Sequence, residues 1–166
     1  GGMHIPFFAK WPARIEQNMQ YEKRIHHTDI FSTILGAANI TPPQDIKIDG
    51  VNLIPYLTNE AIGEPHETLY WKNATYQAII HKDWKLMRSK YPEEREYLYN
   101  LKIDPYETKN LAMTEIAMKD LLHEKLNTHI NSLPEPSWPQ SVFMPVVIDK
   151  PQTQYEEGDE LVFWPN

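Results

Sequence analysis

The sequence predicts an α/β chain, read over its own length as an α+β segment. A buried strand and a helix come first. A small antiparallel sheet with one helix behind it follows. Three observations carry this. Between Leu69 and Leu101, apolar residues recur with period two in four short runs, the pattern of half-buried strands. Met118, Leu122, Leu126 and Ile130 recur at i, i+4 and define one stripe of a helix. Ile5-Pro6-Phe7-Phe8-Ala9 is too short for a helix and apolar on both faces, so it reads as a strand inside a parallel sheet covered by helices.

Taken in order, that first strand tolerates Pro6 near its start, where a missing N–H is harmless. Its pairing partners must come from elsewhere in the chain or from outside it. In "HHTDIFSTILGAANI", Ile30, Ile34 and Ala38 share a helix face, and so do Phe31 and Leu35. Thr28 suits the N-cap, and Asp29 suits the positive helix end in the first turn. Asn39 and Pro42-Pro43 stop the helix. Asp49-Gly50 is a turn, and Val51 to Leu57 reads as a helical turn or packed loop.

The four strands are Leu69–Lys72, Tyr76–His81, Trp84–Ser89 and Tyr97–Leu101. Trp84, Leu86 and Arg88 share one face; Lys85 and Met87 share the other. Lys82-Asp83 is so short that its strands must form an antiparallel hairpin, although neither residue is glycine. In the following helix Leu121 lies beside the apolar stripe, Lys119 and Glu124 lie on the wet side, and Pro134 ends it. From Ser137 onward, aromatic residues among prolines suggest an extended arm with little structure of its own. Fourteen prolines against six glycines fit stiff connections better than tight turns.

Composition narrows the function. The 166 residues suit one domain or a large piece of one. With 16 Lys and Arg against 23 Asp and Glu, the net charge is −7, which gives no attraction to nucleic acid. No apolar stretch is long enough to span a membrane, and no charged-then-apolar opening marks a signal peptide. With no cysteine, disulfides, zinc-thiolate sites and thiol nucleophiles are excluded within these residues.

His26-His27-x-Asp29 is the densest set of metal-type side chains, but its members point differently around a helix start, so a cap and dipole role is favoured. Glu93-Glu94-Arg95-Glu96 reads as a solvated hairpin loop, and Asp104-Pro105-Tyr106-Glu107 as a turn. His4 stands after two glycines at the edge of a predicted strand, where α/β proteins place site residues. Trp71-Lys72-Asn73 stands at a strand end and can line a pocket rim. His4, Trp71 and Asn73 are therefore the substrate-proximal candidates, each against an ordinary packing role. No nucleophile with a base and an orienting acid is present, no metal-ligand set emerges, and no catalytic residue is assigned.

Several stretches together resemble the C-terminal part of a sulfatase of the arylsulfatase type. "GGMHIPFFAKWPARI" is similar to the family's Glu-Gly-Gly segment, and "HHTDIFSTILGAANI" to the helix after it. "DGVNLIPYL" is similar to the following loop. "LYWKNATYQAIIHKDWKLM" and "LYNLKIDPYETKNLA" resemble the C-terminal subdomain. The tail from Trp138 is similar to those of bacterial members. Gly1-Gly2 match the family's glycine pair, while a cloning remnant ahead of Met3 stays open.

The resemblance implies that residues 1–65 are the last strand and helix of a larger alkaline-phosphatase-like α/β domain. It makes 66–133 an antiparallel sheet plus helix, and 134–166 an extended tail. It implies a parent enzyme that hydrolyses a sulfate ester, with formylglycine and calcium held upstream and neither bound by this segment. The segment by itself is expected to be inert, and to associate with the upstream half or with itself through exposed apolar surface. A periplasmic or extracellular location is favoured over a cytoplasmic one. His4 replaces a frequent arginine, and Lys72-Asn73 replaces a frequent Glu-His, so any role carried to these positions is altered. The alternatives are a segment of a related phosphatase or phosphonate hydrolase, or a stand-alone interaction module.

Overall fold

The computed structural model describes residues 3–73, 76–90, 93–135, 146–148, 156 and 163–165. The chain divides into two units, residues 1–67 and 68–166.

In the first unit the stretch after Thr28 forms α1, Asp29–Ala37. Asn39 ends it at φ 55°, a left-handed conformation that asparagine tolerates. The Ile40 N–H then donates to the Leu35 carbonyl and the Asn39 N–H to the Gly36 carbonyl, a Schellman arrangement. Thr28 does not cap α1 with its side chain, contrary to the sequence expectation. Its hydroxyl is engaged by His26 Nδ1 at 3.0 Å, and the Asp29 carboxylate accepts the His26 N–H instead. A four-residue helix, α2 (Ile54–Leu57), follows, with Asn52 Oδ1 accepting the Ile54 N–H.

Two apolar stretches of this unit lie exposed among the described residues. Ile5–Ala9 forms no strand, because no described strand pairs with it and an unpaired strand has no ladder to hold it. Ile5 is 71% and Phe8 90% exposed. The apolar stripe of α1 also faces outward within this unit: Phe31 and Ile34 are exposed, whereas Asp29 is wholly buried.

In the second unit the period-two runs form β1 (Thr68–Lys72), β2 (Tyr76–His81), β3 (Trp84–Ser89) and β4 (Arg95–Asn100), paired antiparallel in that order. β4 starts earlier in the chain than its apolar residues indicate, because Arg95 and Glu96 extend the ladder opposite Ser89 and Arg88. The register places Ile79 beside Leu86 and Leu86 beside Leu98, one row across one face. Leu122 and Leu126 of α3 (Ile116–Ser132) cover that row, and all five side chains are fully buried. Each such side chain contributes about 1.5–3 kcal/mol of burial energy. Met118 and Ile130 continue the stripe at its ends.

The opposite face carries Lys85 beside Tyr99. Lys85 is buried and satisfied by Glu107, with both carboxylate oxygens at 2.6 Å. Burial pushes Tyr99 up to about 12, helped by Glu107, Tyr97 and Asp104.

The loop after β4 is built from polar side chains that each close a backbone gap. Asp104 accepts the Thr108 and Lys109 N–H groups, which hold its carboxyl below the usual range. Asn110 accepts the Leu98 N–H and donates to the Glu96 carbonyl, and the Leu111 N–H donates to the Leu98 carbonyl. The outer edge of β4 is thereby occupied, which removes a site of unwanted strand pairing.

Most of residues 134–166 lies outside the described residues. Its described pieces pair as β5 (Val146–Ile148) and β6 (Phe163–Pro165). A short ladder thus stands within the segment expected to be an extended arm with little structure of its own, and the β-branched run Val146-Val147-Ile148 suits it.

Leu86→Ala should lower stability by about 2–5 kcal/mol in urea unfolding, because it empties the centre of the row. Lys82 turns the β2–β3 hairpin at φ 51°. Lys82→Gly should raise stability by about 0.5–1 kcal/mol, since glycine adopts that φ without a Cβ clash.

Candidate functional site

The densest convergence of chemically capable side chains lies in the first unit, around Asp29. Its carboxylate is 0% exposed and is met by three donors, one of them shared between both oxygens. The His26 N–H reaches Oδ2 at 2.6 Å and the Val51 N–H reaches Oδ1 at 2.9 Å. His66 Nε2 lies 2.8 Å from both oxygens. One side chain thus fastens three chain segments that are distant in sequence. A buried carboxylate is costly unless its lone pairs are filled, and here they are.

The rest of α1's inner face follows the same logic. Ser32 donates to the Gly50 carbonyl at 2.7 Å, and Thr33 Oγ1 accepts the Leu53 N–H at 3.0 Å. Gly50 permits the close approach, since a Cβ there would lie 2.1 Å from the Thr28 carbonyl oxygen. Nearby, Glu64 pairs with Lys23 and Arg24 at 3.4 and 3.7 Å, two partly exposed bridges of small energetic weight.

The His26 and His27 rings meet at a 45° tilt with centroids 4.1 Å apart. Burial holds the His26 imidazole below its ordinary range; His27 and His66 add to this, and Asp29 opposes it. A depressed histidine keeps fewer protons folded than unfolded, so its contribution is complete above about pH 6.5 and falls away in acid.

Chemically, Asp29 and His66 form a carboxylate–imidazole pair able to fix one tautomer. Among the described residues, His66 hydrogen-bonds to Asp29 alone, so no hydroxyl nucleophile completes a triad. Among the described residues, no group of three or more His, Cys, Asp or Glu side chains could hold a metal ion. The arrangement organises backbone; it does not activate a nucleophile.

The sequence candidates lie elsewhere. His4 is exposed, outside any regular element. Trp71 sits half-buried on β1 opposite Ala78, on the face away from α3. Asn73 is exposed just past β1, and its Oδ1 accepts the Tyr76 N–H at 2.6 Å, so it shapes the β1–β2 connection. Trp71 and Asn73 share one strand end; His4 belongs to the other unit. His26 and Asp29 were visible as a cluster in the sequence. His66 was not, because it lies 37 residues away with no periodic signal around it. A separate open groove of about 460 Å³ lies in the second unit, where Tyr70 stacks on His129 at 3.9 Å beside Glu124, Lys125 and Thr128.

Residues 1–135 match the family model described as N-sulphoglucosamine sulphohydrolase, C-terminal. The chain belongs to this sulfatase C-terminal family. It is 42% identical over 71 residues to YdeN of Escherichia coli K12, an uncharacterized sulfatase, covering 43% of this chain and 12% of that protein. It is 40% identical over 57 residues to human N-acetylgalactosamine-6-sulfatase, covering 34% of this chain and 11% of the enzyme. Among solved structures, a Bacteroides thetaiotaomicron protein linked to metabolism of multiple glycosaminoglycans superposes with TM-score 0.58 at 22% identity, over 73% of this chain and 28% of that one. The phosphonate monoester hydrolase of Agrobacterium radiobacter superposes with TM-score 0.52 at 21% identity, over 69% and 26%. The fold is that of the C-terminal part of alkaline-phosphatase-like hydrolases. The chain spans about one eighth of the length of the curated relatives it matches.

Asp29→Ala should destabilise the first unit by about 3–5 kcal/mol in denaturant unfolding, since it strands a buried histidine and two N–H donors. Gly50→Ala should cost about 1–3 kcal/mol by forcing backbone apart. As pH falls below about 6.5, stability should decline, and His26→Gln should flatten that slope in pH-dependent denaturant unfolding.

Proposed function

We propose that this chain is the C-terminal part of a sulfatase that hydrolyses a sulfate ester, and that it supplies scaffold and part of the substrate-pocket wall. The family match over residues 1–135 is the observation that carries this reading. Sulfate ester cleavage needs an activated oxygen nucleophile, a divalent cation and positive donors around the developing charge. In this reading formylglycine and calcium belong to the remainder of the enzyme. Residues 1–65 complete its α/β domain, and His4, Trp71 and Asn73 approach the substrate. The enzyme acts in the periplasm or outside the cell. No described helix is long and apolar enough to cross a membrane.

A phosphonate hydrolase is the second reading, supported by the Agrobacterium neighbour at the level of fold. Assay of the longer polypeptide with a generic aryl sulfate and with an aryl phosphonate separates the two. Sulfate turnover, with this chain inert by itself, is the expected result; phosphonate turnover alone overturns it. Asn73→Asp keeps an acceptor for the Tyr76 N–H, so it should change KM several-fold while leaving Tm nearly unchanged if Asn73 lines the pocket.

A further inference from the structure

The two flanks of α3 are built differently. Toward β4, Lys119 and His123 both reach Glu96, at 3.6 and 2.7 Å, and Asn127 accepts from Arg88 at 2.7 Å. These three side chains are bonded back to the sheet. Toward β1, Leu121, Lys125, Thr128 and Ser132 recur at i, i+4, i+7 and i+11, with Glu124 beside them. Among the described residues, the side chains of Glu124, Lys125 and Thr128 take part in no hydrogen bond or ion pair. Lys125 is half-buried, so its charge lies against the helix without a carboxylate to meet it. This flank lines the groove of about 460 Å³, a size typical of small-ligand sites. From Leu121 to Ser132 the helix rises about 16 Å, so the groove is elongated. On its β1 side, the Tyr70 ring lies parallel to that of His129, with centroids 3.9 Å apart and planes 8° apart. The stack holds an aromatic side chain in place ahead of any ligand, which lowers the ordering cost of binding.

We propose that the groove between α3 and β1 binds a sulfated oligosaccharide. A sugar ring has an apolar C–H face and a rim of hydroxyls. Tyr70 and Leu121, the latter 40% exposed, offer apolar surface to that face. Glu124 and Thr128 offer partners to hydroxyls, and Lys125 pairs with a sulfate through a charge-assisted bond. The length of the lined stripe suits a chain of sugars better than one ring. A docked amphipathic helix is a poorer occupant, because it needs an apolar row that Tyr70 and Leu121 alone do not supply. The sulfate part of this assignment rests on the sulfatase reading above; the sugar part rests on the groove. The net charge of −7 repels a polyanion at long range, so recognition falls to the local cation. Reversing the charge of Lys125 is accordingly the most direct test.

Affinity electrophoresis of the longer polypeptide reads binding apart from turnover. The gels contain chondroitin sulfate, carrageenan or heparin, or the same glycans desulfated. At least one sulfated glycan should retard the protein, and its desulfated form should do so less. Lys125→Glu should weaken the apparent Kd for that glycan by about tenfold or more. Lys102→Glu, the same charge change at an exposed loop position, should leave it unchanged. Thr128→Trp fills the groove from an exposed helix position, so it should abolish retardation while Tm stays the same. Retardation by none of the three glycans overturns the inference. So does equal weakening by Lys125→Glu and Lys102→Glu, or full binding by Thr128→Trp. Binding that appears only after residues 137–166 are removed overturns it too, since the tail then fills the groove. Retardation without aryl-sulfate turnover leaves the groove standing and removes the activity assignment; turnover without retardation does the reverse.

Discussion

The first unit depends on one buried carboxylate. Asp29 sits at the start of α1, and its two oxygens gather a turn, a loop and a histidine that would otherwise be separate pieces of chain. This unit has few fully buried apolar side chains; Leu53 and Ile54 are the clearest. With so little hydrophobic burial, directional bonds must set where the segments lie. Polar stitching of this kind is specific in geometry but intolerant of loss, because each freed donor would remain away from water. Ser32, Thr33 and Gly50 extend the same device along the helix.

The second unit is organised the other way round. Its stability comes from a row of aliphatic side chains on three strands, closed by two leucines of one helix. Polar residues act at its margins. Glu107 is held at φ 59° and neutralises the buried Lys85, while Asn110 takes the place of a fifth strand along β4. The stretch from Asp104 to Ala112 thus spends its polar side chains on backbone and on one lysine.

Much of the second unit was legible because its determinants are local. Period two along Trp84–Ser89 and the i, i+4 stripe Met118–Ile130 each report a buried face without reference to distant residues. The first unit was less legible for the opposite reason. Asp29 looked like a dipole partner at a helix start, and only tertiary structure could show His66 beside it. The stripe on α1 was read correctly as apolar, but sequence periodicity does not say which side of a helix the rest of the unit will occupy. Ile5–Ala9 has strand composition, yet composition cannot supply the neighbouring strand that a ladder requires. The candidates His4, Trp71 and Asn73 came from position in the chain, and the structure gives Asn73 a turn-shaping bond as well.

The blocked edge of β4 has a consequence for how this unit can meet other polypeptides. With Asn110 and Leu111 seated on it, β4 has the Leu98 N–H, the Leu98 carbonyl and the Glu96 carbonyl already engaged. An extended peptide, whether a physiological ligand or a misfolded neighbour, finds no open ladder at that stretch of the edge. Growth into a fibril by edge-to-edge stacking needs receptive borders on both sides of a sheet, and this loop withholds one of them.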